Sequence, residues 1–130
     1  METIYIPTFK RVDNQGTFNG LPDKKTLDTV VSDRPVILKS ATGHQLWVNS
    51  RALQLAGIDA NTPDPEGGRI DRYPGTNEPS GSVQENSAMN LIFAARPDYT
   101  AEQMHAALAF VQRYLNQYGV TTVQDALLKL

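Results

Sequence analysis

The sequence has no cysteine, a single tryptophan and no marked excess of either charge among its 130 residues. The absence of cysteine excludes disulfides and thiolate metal sites. Lysine and arginine number 12 against 14 acidic residues, so the chain lacks the basic stripe that nucleic acids or anionic membranes require. No apolar run approaches the roughly 18 residues that a membrane span needs. We therefore expect a soluble, cytoplasmic protein without nucleic-acid or membrane partners.

Short apolar runs in the sequence predict strands. Residues 36–40 are largely apolar in succession, which is typical of a strand that is covered on both faces. Residues 4–12 are rich in β-branched and aromatic side chains but include a proline, so they predict an edge strand. Residues 42–48 indicate a turn that leads into a second extended stretch. Residues 69–72 and 81–84 predict a hairpin with a long connection.

Helix signals alternate with these strands. Asp23 is a suitable N-cap for a helix over residues 24–31. Asn49 or Ser50 can cap a further short helix, which ends at Gly57. A third helix is predicted over residues 85–95, with Ala88, Leu91 and Ile92 on one side.

The last helix carries the clearest pattern in the chain. Thr100 and Gln103 form a capping-box signature, in which each side chain satisfies an unpaired backbone donor. The apolar residues that follow recur at three- and four-residue spacing, the period of one helix face; they are Met104, Leu108, Val111, Leu115 and Tyr118. Gly119 occupies the position of a left-handed C-cap, and residues 120–123 are expected to leave as a strand.

These patterns together predict an α+β fold, with a small mixed sheet packed against two to four helices. We expect residues 1–130 to form a single domain. Residues 1–20 are expected to be poorly ordered. Proline, glycine and asparagine predict mobile loops near residues 59–68 and 73–81.

The two histidines, His44 and His105, are not spaced as metal ligands. His105 lies beside the apolar stripe of the last helix, where a solvated position is expected. His44 follows a strand and Gly43, and strand-end loops are where α/β enzymes collect their site residues. Without a partner residue in the sequence, His44 taken alone nevertheless favours an ordinary structural role.

Other conspicuous residues also have structural explanations. Trp47 fits core or rim packing. Glu85 starts a helix, where a carboxylate is favoured by the helix dipole. Asp64, Glu66 and Asp71 do not match the ligand pattern of a calcium loop. Residue chemistry alone therefore predicts an α+β domain and no mechanism.

A series of short motifs changes this interpretation. Their order along the chain is Arg34-Pro-Val, Gly43-His, Trp47-Val-Asn-Ser, Ala56-Gly-Ile, Glu78-Pro-Ser-Gly with Glu85, and Gly119-Val-Thr-Thr-Val-Gln-Asp. In these motifs residues 21–126 resemble the YtcJ-like amidohydrolases, family 3. That family includes N-substituted formamide deformylases and exoenzyme regulatory protein-like members. The motifs are specific for the family but give little information about the substrate.

The resemblance implies a metal-dependent hydrolase of amide-like C–N bonds, built on a TIM-like barrel. In the family a His-x-His metal pair precedes this segment, and a lysine, two histidines and an aspartate follow it. It therefore implies an internal fragment, inactive alone and without catalytic residues or metal ligands of its own. Zinc or another divalent metal is the expected cofactor of the parent protein. The partners implied are the remainder of the barrel and a small-molecule substrate.

Within such a parent, the resemblance implies an insertion-type domain that shapes the substrate pocket. His44 matches the family's Gly-His at a strand end, although Thr42 replaces the usual aspartate of that motif. The candidate pocket residues are His44, Trp47, Asn49 and Glu85. The Asn49–Ser50 pair also fits a helix cap. The alternative is a stand-alone regulatory or protein-interaction module, which should have a closed core rather than an exposed apolar face.

Overall fold

A computed structural model of the chain describes residues 3–9, 17–18 and 21–124. The chain divides into two compact units, Met1–Arg96 and Pro97–Leu130. The first unit contains the strands β1 (Ile4–Phe9), β2 (Thr17–Phe18), β3 (Leu21–Pro22), β4 (Val36–Ser40), β5 (Gln45–Val48), β6 (Arg69–Arg72) and β7 (Pro79–Gln84). It also contains the helices α1 (Lys24–Val30), α2 (Ser50–Leu55) and α3 (Glu85–Ala94), while α4 (Ala101–Asn116) belongs to the second unit.

Five of the strands form one mixed sheet in the order β1-β4-β5-β7-β6. Strand β1 pairs in parallel with β4, and the other three pairings are antiparallel. Strands β2 and β3 form a separate two-stranded ribbon. The α+β class, the edge position of β1 and the β6–β7 hairpin are thus as predicted. Of residues 1–20, which we expected to be poorly ordered, 1–2, 10–16 and 19–20 lie outside the described part.

One face of the sheet packs into an apolar core with α2 and α3. Because side chains alternate between the two faces of a strand, every second residue contributes. The fully or nearly fully buried members are Ile37, Leu46, Val48, Ala52, Leu53, Ile58, Ile70, Val83, Ala88, Met89 and Ile92. Burying a Leu or Ile side chain of this kind contributes about 1.5–3 kcal/mol. Of the three residues predicted to share one side of α3, Ala88 and Ile92 are buried together with Met89, whereas Leu91 is 36% exposed.

The opposite face of the sheet carries polar side chains as well as apolar ones. Ser80 and Ser82 of β7 and Asp71 of β6 are buried. Helix α1 contacts β5 and β7 near this face. Its approach to β7 depends on Gly81, where a Cβ atom would lie 2.6 Å from the Cβ of Lys24. Strand β7 begins at Pro79, so the predicted loop over residues 73–81 ends at Glu78.

The second unit is dominated by α4, which begins as the capping box predicts. The Thr100 side chain accepts from the Gln103 backbone, and the Gln103 side chain accepts from the Thr100 backbone. Gly119 has a φ of 75°, the left-handed conformation expected of a C-cap. The predicted strand over residues 120–123 is wrong, because these residues form no strand and have no partner strand in the described ranges.

Candidate functional site

The register of the sheet brings two of the four predicted site residues together. Gln45, the first residue of β5, pairs with Gln84, the last residue of β7. One step further, His44 in the β4–β5 turn lies opposite Glu85, the first residue of α3. His44 Nδ1 lies 3.1 Å from Glu85 Oε2, and the Glu85 N–H donates to the His44 carbonyl at 2.9 Å. The pair therefore marks one end of the sheet.

Both side chains of this pair are accessible to solvent. The His44 side chain is 69% exposed and the Glu85 side chain 53% exposed. A polar contact at such a position adds little to stability, because water competes for both groups and the side chains lose freedom. The pair is thus placed where it can meet another molecule, and its contribution to folding is small.

Glu85 has an unusual backbone. Its φ of 65° makes it the sole non-glycine residue with positive φ among the described residues. A left-handed conformation costs an ordinary residue about 1–2 kcal/mol. Here it forms the sharp turn from β7 into α3, a geometry that presents the side chain of the strained residue at the surface. No pattern in the sequence predicts this, since Glu85 is also an ordinary first residue for a helix.

The approach of the β6 strand to this turn requires a glycine. A Cβ atom at Gly68 would lie 2.5 Å from the Ser87 Oγ and 2.7 Å from the Ala88 backbone nitrogen. Distances below about 3 Å are not tolerated between such atoms, so a side chain there would push the start of β6 away from α3. The Gly67–Gly68 pair thus allows close packing beside the His44–Glu85 pair.

Asn49 is fully buried and acts as a structural link. Its Oδ1 accepts from the backbone N–H groups of Val36 and Ala52 at 3.0 and 2.9 Å, which confirms the predicted cap of α2. Its Nδ2 donates to the carbonyls of Val31 and Arg34, both at 2.9 Å. The side chain amide thereby joins the end of α1 and the start of β4 to α2, with no surface left for a ligand.

Trp47 lies in the middle of β5 and is partly buried. Its indole Nε1 donates to the Asp23 carbonyl at 3.0 Å, at the start of α1. Tyr73 donates its hydroxyl to the Asp23 carboxylate at 2.6 Å, and burial followed by this bond raises the pKa of Tyr73 above its usual range. Trp47 thus belongs to the contact between α1 and the sheet, consistent with a packing role.

A buried polar network on the second sheet face went unnoticed in the sequence. The Asp71 carboxylate receives hydrogen bonds from Ser82 at 2.5 Å and Gln84 at 2.6 Å, and it pairs with Arg69 at 2.6 Å. Gln45 donates to Ser82 at 2.9 Å. The sequence signal for this network is a polar residue at every second position of residues 80–84. Because Asp71 has partners on both carboxylate oxygens, the network satisfies a buried charge.

A shallow cavity of about 400 Å³ lies between α1, α2 and the start of β7. The buried Lys24 and the exposed Glu78 form an ion pair at its rim, with Nζ and Oε1 2.7 Å apart. The hydrogen bond and charge of Lys24 lower the pKa of the Glu78 carboxyl below its usual range. Leu53 and Ile58 are among the lining residues. None of the four predicted site residues lines this cavity.

The described ranges offer no metal site. Within residues 3–9, 17–18 and 21–124, no three histidine or carboxylate side chains come close enough together to hold an ion. His105, on α4, is exposed. None of the described helices has the length and apolar character needed to cross a bilayer.

The chain is similar to known sequences of one protein family. The sequence model of the amidohydrolase family matches residues 9–130. An N-substituted formamide deformylase from Arthrobacter pascens is 36% identical over 82% of this chain and 20% of its own length. The Bacillus subtilis relative YtcJ, which carries an amidohydrolase name, is 44% identical over 65% of this chain and 16% of its own length. The chain thus spans about a fifth or less of these two relatives.

One solved structure has a similar fold. It is the crystal structure of an uncharacterized metal-dependent hydrolase from Pyrococcus horikoshii, with a TM-score of 0.52 and 16% sequence identity. The likeness covers 93% of this chain and 21% of that one. At this identity the comparison concerns the fold alone, and the part shared is again a small portion of a longer protein.

Proposed function

Because the chain belongs to the amidohydrolase family, we propose that it acts as part of a longer metal-dependent hydrolase that cleaves an amide-like C–N bond. The match to the family over most of the chain carries this proposal. A relative named as an N-substituted formamide deformylase supports the choice of bond. The short share of each relative that the chain spans supports a role as one portion of a larger molecule.

The metal of the proposed hydrolase, zinc or another divalent ion, would be bound by residues elsewhere in the longer protein. The described residues do not fit it, because they bring no three suitable ligands together. When bound, such an ion polarises a carbonyl and lowers the pKa of a bound water. The contribution of this chain is therefore assigned to substrate binding.

We assign the sheet end marked by His44 and Glu85 to the substrate pocket. Both side chains are exposed, they contact each other, and Glu85 is held in a strained backbone. Strain of this kind persists where the surrounding structure enforces it and is frequent at ligand-binding sites. Trp47 and Asn49 support the pocket indirectly in this proposal, since their polar atoms bond to backbone groups of α1, β4 and α2.

The partner of α4 is proposed to be the remainder of the longer hydrolase. The apolar stripe predicted from the sequence is exposed: Met104 is 46%, Leu108 63%, Val111 47% and Tyr118 69% accessible. A continuous apolar helix face of this size normally packs against other protein. This exposed stripe is the feature that distinguishes the proposal from a stand-alone regulatory module with a closed core.

Two experiments test the proposal: sequencing of the reading frame on both sides of this segment, and an assay of amide hydrolysis. The reading frame on both sides of this segment should encode a His-x-His pair upstream and further histidines with an aspartate downstream. The protein expressed from that frame should hydrolyse a small formamide or other amide and should lose this activity when treated with a chelator. A start and stop codon that bracket these residues, or a full-length product inactive on every amide, would contradict it.

A further inference from the structure

The contact between His44 and Glu85 determines which ring nitrogen carries the hydrogen. An ionised carboxylate only accepts hydrogen bonds, so Nδ1 at 3.1 Å from Glu85 Oε2 must be the donor. In a neutral imidazole a hydrogen on Nδ1 leaves Nε2 without one, as a hydrogen-bond acceptor. A free histidine in water prefers the opposite arrangement, with the hydrogen on Nε2. Glu85 therefore selects the tautomer that a solvent-exposed ring adopts less often.

The backbone enforces this selection. The Glu85 N–H donates to the His44 carbonyl at 2.9 Å, so the same two residues are joined through main chain and side chain at once. The positive φ of Glu85 turns its side chain toward His44 at the point where β7 becomes α3. Among the described residues, the hydrogen bond to His44 is the only one that the Glu85 carboxylate makes. The strained backbone of Glu85 thus serves to place its carboxylate against His44.

We infer that Glu85 is a positioning residue that holds His44 with Nδ1 protonated, so that Nε2 accepts a hydrogen bond from an N–H group of the substrate. The inference rests on the proposed function, in which this sheet end lines the pocket. A bare Nε2 recognises a donor, so the substrate class is an amide that retains an N–H. Such an amide carries at most one substituent on nitrogen, whereas an N,N-disubstituted amide has no hydrogen to donate.

The tautomer can be measured on the 130-residue chain itself. Long-range ¹H–¹⁵N correlation spectra, recorded at about pH 8.5 where ordinary histidines are neutral, separate the two ring nitrogens of each histidine. His105 is exposed on α4 and serves as the internal reference. His44 should show the hydrogen on Nδ1 and His105 on Nε2, and in Glu85→Gly the His44 pattern should change to that of His105. A His44 pattern equal to that of His105 in the unsubstituted chain would overturn the inference.

A second measurement tests the acceptor role in the longer hydrolase. Glu85→Gly should lower kcat/KM for an N-monosubstituted amide by about tenfold, the usual value of one hydrogen bond, and leave an N,N-disubstituted amide within about twofold. An equal loss on both substrates would overturn the role assigned to Nε2. If the unsubstituted enzyme hydrolyses neither amide, the proposed function fails, and the tautomer spectrum still decides the positioning of His44 independently.

Discussion

At the scale of single residues, Glu85 combines a strained backbone with an exposed side chain. Glu85→Gly should leave stability unchanged or raise the free energy of unfolding by up to about 1.5 kcal/mol. Relief of about 1–2 kcal/mol of strain is offset by about 0.5–1 kcal/mol from the greater freedom of glycine in the unfolded chain. Urea denaturation of the chain measures the difference.

The matched control for this change lies one residue further along. Asn86 is exposed and has an ordinary helical backbone, so Asn86→Gly should lose a few tenths of a kcal/mol. If Glu85→Gly instead lost more than about 1 kcal/mol, the side chain would be needed for folding. That result would remove the argument that strain at this position serves ligand binding.

Asn49 is the opposite case, a polar residue used entirely within the fold. Asn49→Ala should cost about 3–5 kcal/mol, because four backbone groups, two of them buried and two partly buried, would lose their partner. Asn90→Ala, on the exposed side of α3, should change stability by less than about 0.5 kcal/mol. Thermal unfolding of the two variants compares them directly, and similar melting temperatures would show that the amide is dispensable.

The sequence predicts residue roles only where a local rule applies. Asn49 and Thr100 were recognised as caps because capping depends on neighbours a few residues away. The contact of His44 with Glu85 joins residues 41 positions apart and depends on the register of β5 and β7. The Asp71 network likewise depends on strands being paired. Neither could be derived before the sheet order was known.

At the scale of elements, the packing of α1 against β7 leaves no space for a side chain at Gly81. At Gly81 a Cβ atom would lie 2.6 Å from both the Lys24 Cβ and the Val48 carbonyl, and the φ of 103° is unfavourable for any other residue. Gly81→Ala should therefore cost at least about 2–3 kcal/mol, from overpacking and backbone strain together. Chemical denaturation of the variant is the measurement.

Gly75 provides the matched control. It also has a positive φ, of 72°, but a Cβ atom there would meet nothing within 4 Å. Gly75→Ala should therefore cost only about 1 kcal/mol, the strain of the backbone alone. Equal losses in the two variants would mean that α1 can move away from β7 without cost, contrary to the tight packing described.

Element boundaries were predicted well where a residue type fixes them. The cap of α1 at Asp23, the glycine after α2 and the capping box of α4 all lie where expected. The start of β7 at Pro79 was missed, because proline is excluded from central strands by default. Residues 120–123 have strand-forming side chains but no described strand to pair with. In both places the pairing with a neighbouring strand, and not the β-propensity of the residues, determined whether a strand forms.

At the scale of the whole molecule, the exposed face of α4 should make the chain associate or bind hydrophobic dye. Leu108→Gln should reduce dye fluorescence and association, since it interrupts the apolar stripe at a 63% exposed position. Ala106→Gln, on the opposite side of the helix, should leave both unchanged. Analytical ultracentrifugation with dye titration provides the measurement. A monodisperse chain that binds no dye would favour a stand-alone module.

The family and the fold class followed from sequence, whereas the place of this chain in a catalytic site did not. Motif order from Arg34 to Asp125 identified the family because it extends over most of the chain. The residues that would bind a metal belong, in our proposal, to other portions of a longer protein. The sequence of this segment therefore predicts membership of a hydrolase family more readily than a mechanism.

The most direct test of the central claim is amide hydrolysis by the protein expressed from the whole reading frame, with His44→Ala compared against Ala106→Gln. If the sheet end at His44 and Glu85 lines the pocket, His44→Ala should lower kcat/KM by about tenfold or more, with unchanged thermal stability and metal content. Ala106→Gln should retain full activity. Full activity in His44→Ala would contradict the account.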